Sequence, residues 1–521
     1  MSPHHGPTFS ALLGQALARF PDRIALRWDG GELSYAATAE QIGRMQAALL
    51  AAGMTRGSRI AMLAGNTPHA WCASMAAQAC GMSVSWLNAL GSEDDHLFQL
   101  QDYAANLLVV QGGTHTAPAA RLLARQNIGL RAMMLGADDL GPDLLRLARE
   151  GAGHAMRDLS RPEDLALINY TGGTTGKSKG VVRDQLNMGE VTRAILATFE
   201  LPARPGFLAA APISHVAGTM VLPVLARGGC VRLLDRFTPD GVLRTLATEG
   251  ISATLLVPTM IYALLDEPSL ATTDLSRLET VIYGASPMAP SRLQEGLERF
   301  GPVFAQIYGQ TEGFPLTYLS RDDHAAGADL LGSCGAASLA TTVALLDSDD
   351  RPVPAGEAGE ICVRGTHVMQ GYLGRDDLTA EALRGGWLHT GDIARRDDRG
   401  YYWIVDRKKD MIVTGGFNVY PREVEDVLSW DPAVAEVAVI GVPDPRWGEA
   451  VTALVVRRTG TTIDAPELAA RLTDLVRTRK GSVHAPKNIE FVDALPRTAV
   501  GKIDKKTLRQ PYWIDQDRQV G

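Results

Sequence analysis

Residues 170–180 read Tyr-Thr-Gly-Gly-Thr-Thr-Gly-Lys-Ser-Lys-Gly, a loop of glycines, hydroxyls and lysines. That composition suits a polyphosphate: glycine lets the backbone approach, hydroxyls and N–H groups donate, and lysine offsets the anionic charge. A Walker A loop needs glycine five residues before Gly176, where Thr171 stands, so this is a phosphate loop of another kind or a ligand-free surface loop. Further clusters carry reactive groups. Ile282-Tyr283-Gly284-Ala285-Ser286-Pro287 ends in small residues against which a flat base could stack. Gln306-Ile307-Tyr308-Gly309-Gln310-Thr311-Glu312 combines a ring, amides, a hydroxyl and a carboxylate. Trp387-Leu388-His389-Thr390-Gly391-Asp392 offers a carboxylate to ribose hydroxyls, and Lys502 follows Gly501 near the end. Singly, Asp392 also reads as a turn aspartate, Lys502 as a surface lysine, His215 as an interior histidine and Trp387 as core.

The elements that must position these groups alternate. Residues 10–20 and 35–52 have apolar side chains at helical spacing, and residues 23–28 and 57–63 read as strands. This rhythm runs through Val281-Ile282-Tyr283 and predicts an α/β region with largely parallel sheets, whose ligands collect at the loops after the strands. Leu165-Ala166-Leu167-Ile168 is a buried strand leading into the phosphate loop. From about residue 332 to 364 short strands broken by Pro/Gly/Asp turns suggest a small β-barrel. After Arg407 a smaller α+β segment begins, its helix opening at Pro421, a residue suited to a first helical position.

With 521 residues the chain exceeds one ordinary core, and its 45% hydrophobic and 21% charged residues are those of a folded globular protein. A net charge of −8 offers no field for nucleic acid. The five cysteines have no zinc or redox spacing, so reduced thiols and a cytoplasmic setting are expected. The apolar stretch 207–226 is interrupted by Pro212, Ser214, His215 and Pro223, and reads as buried structure lining a site, not as a membrane span.

Taken in order, these motifs resemble the adenylate-forming superfamily: acyl- and aryl-CoA synthetases, peptide-synthetase adenylation domains and beetle luciferases. The resemblance runs from Phe20-Pro21-Asp22 through Asn66 and Asn88 to Lys502. It implies a large N-terminal domain, 1–406, of α/β subdomains plus the small barrel, and a mobile C-terminal α+β domain, 407–521, hinged at Lys409. By resemblance Thr171, Gly172, Gly173, Thr174, Thr175, Gly176 and Lys179 cradle phosphates. Gly173 replaces the family's usual serine and Ser178 its usual proline. Gly284, Ala285 and Ser286 frame adenine, Tyr308 stacks on it, and Gly309 and Gln310 complete that wall. Thr311 meets the α-phosphate, Glu312 holds Mg²⁺, Asp392 and Arg407 bind ribose, and Lys502 reaches the α-phosphate and the substrate carboxylate.

The implied reaction uses ATP to make an acyl-adenylate and then transfers the acyl group to CoA. His215 is the gate of an acyl pocket lined by Val216, Thr219, Met220, Tyr283, Gly309, Phe314 and Leu316, suiting an aromatic or medium-length aliphatic monocarboxylate. Gly415, Gly416 and Trp447 would serve CoA. The arginine that some aryl-CoA ligases carry before the proline matching Pro486 is Ala485 here, so His484 or Lys487 would have to replace it. Partners are then small molecules, with a homodimer left open. The alternatives are an amide synthetase using an amine in place of CoA, and a non-catalytic nucleotide-binding homologue.

Overall fold

A computed structural model describes residues 6–89, 91–151, 153–171, 178–407, 410–414, 417–498 and 502–514. Two large sheets form its bulk. The first has nine strands, side by side in the order Ala336–Ala337, Gly313–Leu319, Phe304–Gln310, Thr280–Gly284, Ala253–Leu256, Gly206–Ala209, Cys230–Leu233, Ile24–Trp28 and Gly31–Ser34. Its centre is parallel, from Ile24–Trp28 across to Phe304–Gln310, and antiparallel strands close each edge. The second has seven strands, parallel from Arg131–Leu135 to Leu165–Thr171 and finished by an antiparallel hairpin with Lys179–Asp184. Near-continuous apolar strands such as Ala253–Leu256, buried throughout, are what helices on both faces require. A large core joins the two sheets through the helix Pro68–Ala79, every described side chain of which is buried except His69.

Helix starts follow local chemistry. Thr8, Ser34, Thr67 and Ser92 each accept a hydrogen bond from a backbone N–H of the first turn. The expected helices over 10–20 and 35–52 are Phe9–Arg19 and Tyr35–Ala51. The stretch 207–226 is a strand, a 3₁₀ turn and the short helix Val221–Ala226. Among the described residues no helix is long and apolar enough to cross a membrane.

The segment expected as a small barrel, 332–364, supplies two strands, Thr342–Leu346 and Gly359–Arg364, of a four-stranded antiparallel sheet completed by Leu388–Arg396 and Tyr402–Arg407. It curls enough for the Tyr402 hydroxyl to reach the Val343 carbonyl at 3.4 Å. The C-terminal part is a five-stranded sheet with Pro421–Ser429 and Ala465–Lys480 on one face, and Pro421 stands in the first helical turn as expected.

Candidate functional site

The phosphate loop lies at the tip of a hairpin whose last partners are Thr171 and Lys179. Its residues Gly172, Gly173, Thr174, Thr175 and Gly176 fall outside the described residues, as do Lys409, Gly415 and Gly416; Arg407 is described only as strand backbone. Lys179 Nζ lies 5.0 Å from the ring centre of Tyr372, on the short strand Gly371–Tyr372 paired beside it. The Tyr372 hydroxyl donates to Glu312 Oε1 at 2.8 Å, and burial together with that carboxylate pushes the phenol up. Arg183, on the same hairpin, donates to the Thr311 carbonyl at 2.7 Å and to the His367 carbonyl at 2.8 Å. Burial brings its guanidinium down to about 10, still charged at neutral pH, while Glu312 opposes the shift. Tyr372 and Arg183 were invisible as site residues in the sequence. Tyr372 lies 60 positions from its partner, and no local pattern links them.

The strand Phe304–Gln310 delivers Tyr308 and Gln310 to Asp392, which is buried on Leu388–Arg396. Asp392 Oδ2 accepts from the Tyr308 hydroxyl at 2.7 Å and from Gln310 Nε2 at 2.8 Å, and Arg407 is its backbone partner on the next strand. Beside this network, Gly284 pairs with Ile307. A Cβ on Gly284 would stand 2.4 Å from the Ile307 carbonyl oxygen, so this close crossing admits only glycine. Ala285 follows at φ +67°, a left-handed conformation that non-glycine residues seldom adopt and that stores strain where a loop is shaped for a ligand. Ser286 is half-buried at the same rim.

Asn66, a landmark in the sequence, anchors the next segment. Its side chain donates to the Ala211 carbonyl at 3.0 Å and accepts from Ile213 N at 2.8 Å, fixing the turn that carries His215. His215 is exposed, and surrounding protein, with a smaller contribution from the charge of Lys502, holds its imidazole below the ordinary histidine range. Lys502 comes from the C-terminal part, where Lys502 N donates to Thr498 Oγ1 at 3.3 Å.

Val216, Met220 and Phe314 share one apolar cluster behind His215, and Phe314 packs edge-on against Phe199. Thr219 Oγ1 donates to the Val216 carbonyl, and Gly309 lies under the Phe314 ring, which a Cβ there would meet at 2.8 Å. Two of the expected pocket residues lie apart from this cluster. Tyr283 is 1% exposed on the other face of its sheet, against Phe304, with its hydroxyl bonded to Gln306 and paired with His324. Strand alternation explains this, because Ile282, the residue before it, faces the core behind His215. Leu316 is fully buried with Leu388 and the four-stranded sheet. Trp447 stands 37% exposed in the turn between the strands Val434–Asp444 and Gly448–Arg457, flanked by Arg446 and Lys487.

Residues 13–373 match the AMP-binding enzyme family, and residues 423–502 match its C-terminal domain. The chain belongs to the adenylate-forming acyl-CoA synthetases. This synthetase is 42% identical to the medium/long-chain-fatty-acid–CoA ligase FadD8 of Mycobacterium tuberculosis, over all of this chain and 92% of the other. It is 39% identical to a feruloyl-CoA synthase of Amycolatopsis, over 94% and 96%. Among solved structures it superposes on the amide bond synthetase McbA from Marinactinospora thermotolerans with a TM-score of 0.89 at 33% identity, covering 96% and 99%. The synthetase is therefore an AMP-forming acid–CoA ligase, with ATP and CoA as co-substrates.

Proposed function

We propose that this synthetase adenylates an aromatic or medium-length aliphatic monocarboxylic acid and passes the acyl group to the CoA thiol. The observation that carries the reading is the meeting of Tyr308 and Gln310 at the buried Asp392, beside the strand crossing at Gly284, with an apolar cluster next to His215 in sequence; Lys502 of the C-terminal part lies near enough for its charge to act on His215. The substrate carboxylate needs a cationic partner at its head and no second charge deeper in, and Val216, Met220 and Phe314 supply only apolar surface. The fatty-acid and feruloyl relatives support a hydrophobic acid of either kind.

In the first half-reaction a carboxylate oxygen attacks the α-phosphorus of ATP, the bond to pyrophosphate breaks, and an acyl-adenylate forms. Lys502 would donate to the non-bridging oxygens as their charge grows, with Thr311 beside it on a backbone fixed by Arg183. Asp392 would accept from the ribose hydroxyls, Tyr308 would cover the adenine, and Ala285 and Ser286 would edge it. Glu312 suits Mg²⁺, since one carboxylate plus substrate phosphates is an ordinary donor set for that ion, which when bound neutralises phosphate charge. In the second half-reaction the thiol sulfur attacks the acyl carbonyl and AMP leaves. Rotation of residues 407–521 about Lys409 would withdraw Lys502 and present Gly415, Gly416 and Trp447. Lys487 Nζ lies 5.5 Å from the Trp447 ring, whereas His484 faces Glu423 at 3.8 Å, so Lys487 is the better candidate for the CoA phosphates.

The likeness to an amide bond synthetase supports a second reading in which an amine takes the adenylate. Pyrophosphate release across aliphatic and aromatic acids, each with CoA, with an amine and with neither, separates the two. Thioester formed in a CoA-dependent turnover is expected; amide formed with indifference to CoA would overturn the proposal.

A further inference from the structure

The strands Gly359–Arg364 and Leu388–Arg396 run antiparallel with Cys362 opposite His389. With Glu360 they bring a thiol sulfur, a ring nitrogen and a carboxylate oxygen within 4.8 Å of one another. Cys362 Sγ and Glu360 Oε2 each lie 3.3 Å from His389 Nδ1. The nitrogen–oxygen separation is longer than a good hydrogen bond. Both separations approach the edges of a tetrahedral zinc site, ~3.3–3.6 Å for bonds of ~2.3 Å to sulfur and ~2.0–2.2 Å to nitrogen and oxygen.

The surroundings fit the same geometry. His389 Nε2 is buried without a hydrogen-bond partner among the described residues, and Asp350 Oδ1 stands 3.8 Å from it. At 3.8 Å Asp350 does not hydrogen-bond Nε2, but closing that gap would let it fix the tautomer of a metal-bound histidine and leave Nδ1 its lone pair. Arg384 Nη2 also comes within 3.4 Å of Nδ1, but its guanidinium is held by Asp350 through bonds of 2.7 and 2.8 Å. Glu360 is already oriented, since its Oε1 accepts from Gly391 N at 2.9 Å while Oε2 faces the ring. A carboxylate and a thiolate balance one divalent cation, and the Asp350–Arg384 pair is neutral. That pair, with side chains 30% and 45% exposed, gives a surface entry path.

We propose that Glu360, Cys362 and His389 form a site for one thiophilic divalent cation of the zinc type, with water in the fourth position. As the metal–sulfur bond forms, the Cys362 thiol releases its proton to solvent. His389 and Asp392 share a strand and Glu360 holds Gly391 between them, so the metal would stiffen the segment bearing Asp392. That last consequence rests on the nucleotide reading above; the site itself does not.

The test uses the full-length protein, stripped with a chelator and titrated calorimetrically with zinc in two buffers of different ionisation enthalpy. One equivalent should bind with release of a proton, and cobalt should give a sulfur-to-metal charge-transfer band. Cys362→Ser and His389→Gln should each weaken zinc at least 100-fold, and Asp350→Asn ~10-fold as an outer partner, whereas Cys334→Ser, a buried cysteine elsewhere, should leave it unchanged. Zinc should also raise the unfolding midpoint of the parent and not of the two ligand variants. Unchanged affinity in both ligand variants, a cobalt spectrum without the thiolate band, or no micromolar binding by the parent would each overturn the site, whatever the enzyme's activity. Should Cys362→Ser fail to fold, His389→Gln and the cobalt spectrum still decide it.

Discussion

Glu312 has its orientation set by a residue far along the chain: Tyr372 gives it one hydrogen bond and lends its ring face to Lys179. Removing the hydroxyl leaves the carboxylate free to swing, and a hydrogen bond to a charged group is worth about 1.5–3 kcal/mol. Tyr372→Phe should therefore raise the magnesium needed for half-maximal pyrophosphate release roughly tenfold or more, with activity largely regained at high magnesium. Equal magnesium curves for parent and variant would remove Tyr372 from the site. Lys502 makes a separate demand. Lys502→Ala should slow adenylation by three powers of ten, on the order of the loss of a transition-state donor. Thioester formation from preformed acyl-adenylate and CoA should fall far less, because Lys502 belongs to the first geometry only. Equal losses in both half-reactions would refute that division of labour.

At the scale of elements, the clearest constraint is the parallel crossing of Thr280–Gly284 against Phe304–Gln310. A methyl on Gly284 would meet a backbone oxygen at 2.4 Å, and a backbone oxygen in a central strand cannot yield. Gly284→Ala should thus part the strands, lowering stability by about 1–3 kcal/mol, and displace Tyr308 from Asp392, raising the KM for ATP. A variant with normal stability and a normal KM would show that the strands yield after all. The same strands show how far a linear reading goes. Tyr308 and Gln310 were legible because their motif ends a strand, and strand ends are where open α/β sheets gather ligands, whereas Asp392 lies mid-strand in the antiparallel sheet and was legible only through its motif. Tyr283 packs away from the cluster near His215 because a motif gives the neighbourhood but not the face; one residue along a strand reverses the side chain. Arg183 and the Glu360–Cys362–His389 cluster escaped because pairing across strands, not spacing along them, brings their partners together.

Across the whole molecule, burial acts on the histidines in one direction. Protein mass holds His69, His96, His324 and His367 below the ordinary range, and His367 falls furthest, to about 4. His367 is fully buried; its Nε2 pairs with Thr341 Oγ1 at 3.0 Å, Arg183 repels its proton, and Glu190 attracts it more weakly. Between pH 6.5 and 4 the unfolded chain binds a proton at this residue that the folded chain refuses, so stability there rises with pH. The contribution is complete above about pH 6.5, is lost as pH falls to about 4, and amounts to about 3 kcal/mol from this residue. The fully buried His367 also braces the hairpin of the phosphate loop, since its carbonyl accepts from Arg183. Acid should therefore loosen the phosphate site together with the fold. Thermal midpoints measured from pH 7.5 to 4 should drop steeply for the parent, and the drop should be shallower for His367→Gln, whose amide can keep the Thr341 contact without titrating. Parallel curves would show that His367 takes up its proton without cost, and the acid sensitivity would then belong to the other buried histidines.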